Sequence, residues 1–353
     1  STLPLTLSNF WLFSYENYPN YVDPELTYAE WRYLSETGTL NVGLGYTMKG
    51  SGVGDPVNDV QNYSFIGKPN NSTVATPITA GNQALVGNPY ASAIDANEFI
   101  RDNILGGNQG TSASIDGTVY YWEHYTSNFT HILEDYEGGY ATYNLTGGLG
   151  AVIPPLISGL GVSTKTPGRY IPVGQGFFVT ALNSTGGDVT FHNDQRIFVR
   201  ENTGISVFMD VYEVDDSSLR GTESTDNGGD DAEEDLIKRV RLDAKSPEGA
   251  VRPLLLGFVP DNMANDGFNV GYDAENTDEY PSDFSWIIGE KLYTIQGVGD
   301  FALSKSYPLN VRLSTPGDIE ISLNSLENFY EDINIYLNDT MINTYNILIY
   351  QVY

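Results

Sequence analysis

The chain has 353 residues, no cysteine and a formal net charge of −29, which excludes disulfide scaffolds, Cys-ligated zinc and thiol catalysis. The charge argues against nucleic-acid binding, since phosphate contacts need clustered Lys and Arg, and against adsorption to anionic membranes. No run approaches the ~20 apolar residues of a membrane span. Charged residues make up only 18%, while Gly, Asn, Ser, Thr and Tyr are abundant, a mix that suits many strands joined by turns.

In chain order, residues 3–7 and 10–13 are apolar, and the segment 15–24, with Pro19 and Pro24, reads as loop. Residues 31–34 and 40–48 read as strands, 50–56 as a glycine-rich loop and 62–66 as a further strand. One helix is expected in the first half. Asp95 can cap it, with Glu98 three positions on ahead of Phe99 and Ile100, a capping box. Asn103 and Gly106-Gly107 should end it. Residues 118–122 are strongly β-like, and the stretch from Gly147-Gly148 to Pro154-Pro155 reads as turn and loop.

Residues 167–201 look like the centre of the first half. The runs 176–181 and 189–196 flank a polar, Gly-bearing connection, which is a hairpin pattern. The first run has few polar breaks and suits a central strand covered on both faces. Gly174 and Gly176 are read as easing a bend or bulge.

Between 210 and 235 the composition turns acidic, with Arg220 the one basic residue. Such like-charge density cannot pack, so it marks an exposed loop or linker. Strands resume at 238–244, where Val240 and Leu242 alternate with Arg239, Arg241 and Asp243. Further runs follow at 254–259, 291–296, 307–313, 319–323, 333–337 and 345–352. This pattern predicts an all-β fold of two consecutive β-sandwich, jelly-roll-like domains with at most one or two short helices. The expected division is 1–209, an acidic linker 210–235, and 236–353.

Motifs for chemistry are sparse. His124, His131 and His192 lack metal-ligand spacing, and no Gly-x-Ser-x-Gly elbow occurs. Gly43-Leu-Gly45 and Gly174-Gln-Gly176 lack the third glycine of a dinucleotide loop and read as turns or bulges. Paired carboxylates are too common in so acidic a chain to single out a glycosidase dyad. Calcium is the one cofactor the pattern suggests, because Asp226-Asn-Gly-Gly-Asp230-Asp231 and Asp266-Gly-Phe-Asn-Val-Gly-Tyr-Asp273 combine oxygen ligands with turn glycines. The rival readings are a floppy acidic loop for the first and an ordered structural turn for the second, with no cofactor. The 25 tyrosines suit half-buried strand positions, and exposed copies can stack on sugar rings.

Several stretches resemble cell-surface and secreted proteins of Bacteroidota-type bacteria exported by the type IX secretion system. They include Leu44-Gly-Tyr-Thr-Met-Lys-Gly50, Leu85-Val-Gly-Asn-Pro-Tyr-Ala-Ser-Ala-Ile-Asp95 and Val173-Gly-Gln-Gly-Phe-Phe-Val179. Val189-Thr-Phe-His-Asn-Asp-Gln-Arg196, Gly271-Tyr-Asp-Ala274 and Ile333-Asn-Ile-Tyr-Leu337 extend the likeness. All are motifs of strands and turns. The resemblance implies an extracellular β-protein of the cell surface, adhesive or part of a larger assembly. The sorting domain of such proteins is not present in this chain.

The reading is therefore a non-catalytic adhesion or structural protein, one form of which is the subunit of an extracellular filament joined by exchange of the terminal runs 3–13 and 347–352. Its partners would be other copies of itself or other cell-surface proteins, with no nucleic acid and no direct membrane insertion. The alternatives are a carbohydrate-binding surface module that takes polysaccharide, or a secreted glycoside hydrolase.

Overall fold

A computed structural model describes residues 8–15, 31–35, 37–48, 65–104, 114–125, 138–152, 163, 165–182, 186–198 and 235–348. The fold is all-β, with strands in several sheets and a single α-helix among the described residues. The chain divides into two compact units. The first comprises Ser1–Tyr121 with Pro167–Glu234, the second Trp122–Thr166 with Asp235–Tyr353. Residues 122–166, expected in a continuous domain 1–209, thus belong with the second unit. The linker residues 210–234 lie outside the described residues.

In the first unit, strand Gly176–Ala181 lies between Gln83–Gly87 and Ile115–His124, antiparallel to both. It is covered on both faces, as its apolar run requires. Phe177 meets Phe99 at 5.3 Å between ring centroids, while Phe178 on the opposite face meets Tyr15 at 5.0 Å and Trp31 at 6.1 Å. The hairpin expected here does not form. Strand Gly187–Phe191 pairs instead with Val74–Ile78 in a separate sheet. The two runs face each other across the core through Phe99, which stacks on Phe191 at 5.0 Å. Apolar alternation identified both strands, but it could not say which sheet each would join.

The helix Ala96–Asn103 is where the capping pattern put it. The Asp95 carboxylate accepts the Asn97 N–H at 2.9 Å and pairs with Arg169 at 2.8 Å. At the other end Asn103 donates to the Phe99 and Thr190 carbonyls at 2.8 and 2.9 Å and accepts the Thr190 N–H at 2.7 Å. Both ends of the helix are therefore tied to strands, which a short helix needs because propensity alone does not hold eight residues together. The run 40–48 yields only the short strand Tyr46–Thr47, and Gly174, at φ 73°, turns the chain into its strand. The bulge in that strand falls between Val179 and Ala181, away from the glycines.

In the second unit, Lys238–Lys245 and Val251–Phe258 form an antiparallel pair at the heart of a large sheet. Val251–Phe258 also runs parallel to Lys291–Val298, with Leu255 opposite Ile295. Strand periodicity divides the sheet's side chains. Val240, Leu242, Ala244, Leu254, Leu256 and Phe258 enter one core cluster with Phe284 and Trp286. Leu255 and Ile295 enter a second with Leu149 and Ala274.

Gly147–Leu149, which the sequence suggested was turn and loop, is a strand paired with Gly138–Asn144. It is secured by Arg239, whose Nε donates to the Thr146 carbonyl, and by Arg241, which donates to the Gly148 carbonyl at 2.6 Å. Those bonds explain why residues 122–166 belong to this unit. On the other face, the hairpin of Ile335–Asp339 and Thr344–Leu348 packs Ile335 and Leu348 against the first cluster.

Candidate functional surfaces

Of the carboxylates expected to hold calcium, Asp226, Asp230 and Asp231 lie outside the described residues. Asp266 and Asp273 are both described, and each has a different partner. Asp266 is exposed and pairs with Lys305 at 2.7 Å. Asp273 is 2% exposed and accepts the N–H groups of Asn269 and Gly297 at 2.6 and 2.7 Å. Burial pushes its pKa up to about 7, against the lowering effect of those hydrogen bonds. Asn269 completes the lock by donating to the carbonyls of Asn265, Gly267 and Gly297. The turn glycines and oxygen-bearing side chains that suggested a cation loop here tie the 265–273 segment to a core strand. Among the described residues, no three His, Asp or Glu side chains gather as a metal group would require.

The other motifs singled out in the sequence also serve the fold. Asn88 donates to the carbonyls of Ser92 and Pro172 at 2.8 and 3.1 Å and accepts the Tyr90 N–H at 3.0 Å, closing the Asn-Pro-Tyr turn. The Arg196 guanidinium sits 5.3 Å from the centre of the Tyr90 ring and donates to Ser92 Oγ at 3.0 Å. Gln195 donates to Asp102 at 2.7 Å, and burial raises the Asp102 pKa. Motifs about a hundred positions apart in the chain thus meet in one packed turn. His192 Nδ1 lies 3.2 Å from Thr73 Oγ1, His124 lies in the strand Ile115–His124, and His131 is outside the described residues.

Glu248 accepts from Ser282 and Ser314 at 2.9 and 3.0 Å and also from Thr315. The Thr315 hydrogen bond is the main cause of a pKa lowered to about 2, with Ser282 adding to it. These contacts join the 246–250 turn to the 312–315 segment. A carboxylate so engaged at low pKa is unsuited to general acid work near neutral pH.

Two surfaces stand apart from these networks. In the first unit, Phe13 faces Tyr33 and Tyr15 faces Trp31 across adjacent strands, with centroids 5.6 and 5.2 Å apart. Tyr15 and Trp31 are anchored on Phe178. Tyr33, Phe10 and Tyr46 remain exposed. This aromatic strip is visible in the sequence only as scattered rings, since pairing across strands brings them together.

In the second unit, the hairpin's register sets Tyr336 opposite Ile347 and Asn338 opposite Tyr345. These residues alternate with the core-facing Ile335 and Leu348 and so project outward. Tyr336, Tyr345 and Ile347 are 56, 67 and 46% exposed, and Met341 and Ile342 at the turn are 91 and 68% exposed. Of the terminal runs proposed for strand exchange, Asn9–Trp11 forms a 3-10 helix, while Phe13, Ile347 and Leu348 pair within the chain. Phe13–Tyr15 pairs with Trp31–Tyr33, and Thr344–Leu348 with Ile335–Asp339. Residues 1–7 and 349–353 lie outside the described residues.

The fold and these surfaces define an all-β protein in which Asp273, Asp283 and Glu248 are engaged in hydrogen-bond networks and Tyr33, Tyr336 and Tyr345 are exposed on strands. The chain belongs to the family described as "Domain of unknown function (DUF8693)", whose model matches residues 4–353. No curated protein and no solved structure matches the chain.

Proposed function

We propose that the chain is a non-catalytic extracellular protein of the cell surface, adhesive or structural, which associates with copies of itself or with other surface proteins. The observation that carries this reading is the outward face of the hairpin Ile335–Leu348, an exposed aromatic and aliphatic surface in a chain of net charge −29. Contiguous exposed apolar surface of this kind is a mark of interaction sites. The strand and turn motifs that resemble type IX-exported proteins support the extracellular setting. A filament joined by exchange of the terminal runs 3–13 and 347–352 is a narrower form of the same proposal.

The aromatic strip favours a second reading, a polysaccharide-binding module, because exposed rings such as Tyr33, Phe10 and Tyr46 can stack on sugar faces. Two experiments separate these readings. Electron microscopy and light scattering of the purified chain should show assemblies that grow with concentration. Uniform monomers at every concentration would remove the self-associating reading. A polysaccharide array scored for both binding and reducing-sugar release then tests the module, and turnover in it would overturn the non-catalytic assignment.

A further inference from the structure

We infer that the outward face of the hairpin Ile335–Asp339/Thr344–Leu348 is a contact surface for the same face of a second copy of this chain. This rests on the self-associating reading above and names its surface.

The hairpin's inner face is already committed, through Ile335 and Leu348, to the core of its unit. A two-stranded ribbon is marginal without cover, and here, among the described residues, only one side is packed on a core cluster. On the other side Tyr336, Ile347, Asn338 and Tyr345 form two directly opposed pairs. Met341 and Ile342 extend this surface at the turn, whose shape is set in advance. The Asp339 Oδ1 accepts the N–H of Met341 at 2.9 Å and of Ile342 at 3.4 Å. Little ordering therefore remains to be done on contact, which favours association.

Charge selects the occupant. With 46 Asp and Glu against 17 Lys and Arg, two copies repel unless they meet where carboxylates are absent. Residues 335–348 contain one charged side chain, Asp339, and its carboxylate is turned to backbone N–H groups. A cationic partner would be drawn to the acidic surface elsewhere. A polysaccharide would find no hydrogen-bonding group on Met341 or Ile342, the most exposed part of the face. A neutral apolar face on an acidic chain fits another copy of itself, and a face that meets itself closes about a two-fold axis.

Sedimentation velocity of the full chain across protein concentration and from low to high NaCl is the test. Dimers should form, and more strongly at high salt, because screening weakens like-charge repulsion while leaving apolar contact. The double variant Tyr336→Glu/Tyr345→Glu should weaken association at least tenfold. Leu303→Glu, at another exposed apolar position of the same unit, should leave it unchanged. Because the chain has no cysteine, Asn338→Cys should give a disulfide-linked dimer on mild oxidation, while Leu303→Cys should not. Association that persists in the double variant overturns this surface but leaves the self-associating reading standing. A wild-type chain that stays monomeric at every concentration and salt overturns both.

Discussion

Arg252 and Asp283 lie side by side in the second unit with side chains only 5 and 3% exposed. The guanidinium Nε and Nη2 donate to the two carboxylate oxygens at 2.8 and 2.9 Å. The remaining capacity of the carboxylate is taken by Asn276 Nδ2 and by the N–H groups of Tyr280 and Phe284. The guanidinium also donates to the Asp278 carbonyl at 2.7 Å and lies 4.3 Å from the centre of the Tyr280 ring. Hydrogen bonding of this extent is what makes a buried pair tolerable, since desolvation of each ion costs several kcal/mol.

Removing one partner of this pair leaves the other charge stranded. Asp283→Ala is therefore expected to cost about 3–5 kcal/mol of stability, read as a lower denaturation midpoint. Arg252→Ala should cost a similar amount. The double variant should lose clearly less than the sum, with a coupling of ~1–3 kcal/mol in the mutant cycle. Strict additivity would show that the two side chains do not act as a unit.

Asp273 makes a different prediction because burial dominates its titration. Its folded pKa, about 7, lies above the ordinary value of 3.8, with burial as the main cause. The folded protein thus holds this proton more tightly than the unfolded chain. Its contribution to stability is fully present below the ordinary value and is lost as pH rises through about 7. The wild-type melting temperature should fall between pH 4 and pH 8 more steeply than that of Asp273→Asn, which cannot titrate there. Parallel curves for the two proteins would refute a raised pKa at this position. Repulsion among the many surface carboxylates acts on both proteins and cancels in the difference.

What could be read from the sequence follows the range of the forces involved. The helix was legible because its determinants, Asp95, Glu98, Phe99 and Ile100, lie within one turn of each other. The strand Lys238–Lys245 was legible from simple alternation. Yet alternation presented Arg239 as part of a polar face, whereas it is buried and donates to the Thr146 carbonyl. That contact spans 93 positions and also makes a strand of Gly147–Leu149, whose glycines read locally as a turn. The hairpin expected at 176–191 failed for the same reason, since Phe99 divides the two runs between sheets. The aromatic faces were hidden likewise. Tyr336 and Ile347 are eleven positions apart, and only their register makes them neighbours.

Calcium closes the set of predictions. Millimolar calcium is expected to raise the melting temperature, reversibly with chelator, if acidic loops of the native chain hold the ion, because a ligand bound only to the folded state stabilises it by mass action. Asp266 is engaged by Lys305 and Asp273 by two backbone N–H groups, so neither is free to supply a ligand without breaking those bonds. Asp266→Asn should therefore show the same calcium-induced shift as wild type, while the triple variant Asp226→Asn/Asp230→Asn/Asp231→Asn should reduce it. The measurement is differential scanning fluorimetry across a calcium titration. A shift abolished by Asp266→Asn and retained in the triple variant would move the ion to the 266–273 loop and require Lys305 to give up its partner.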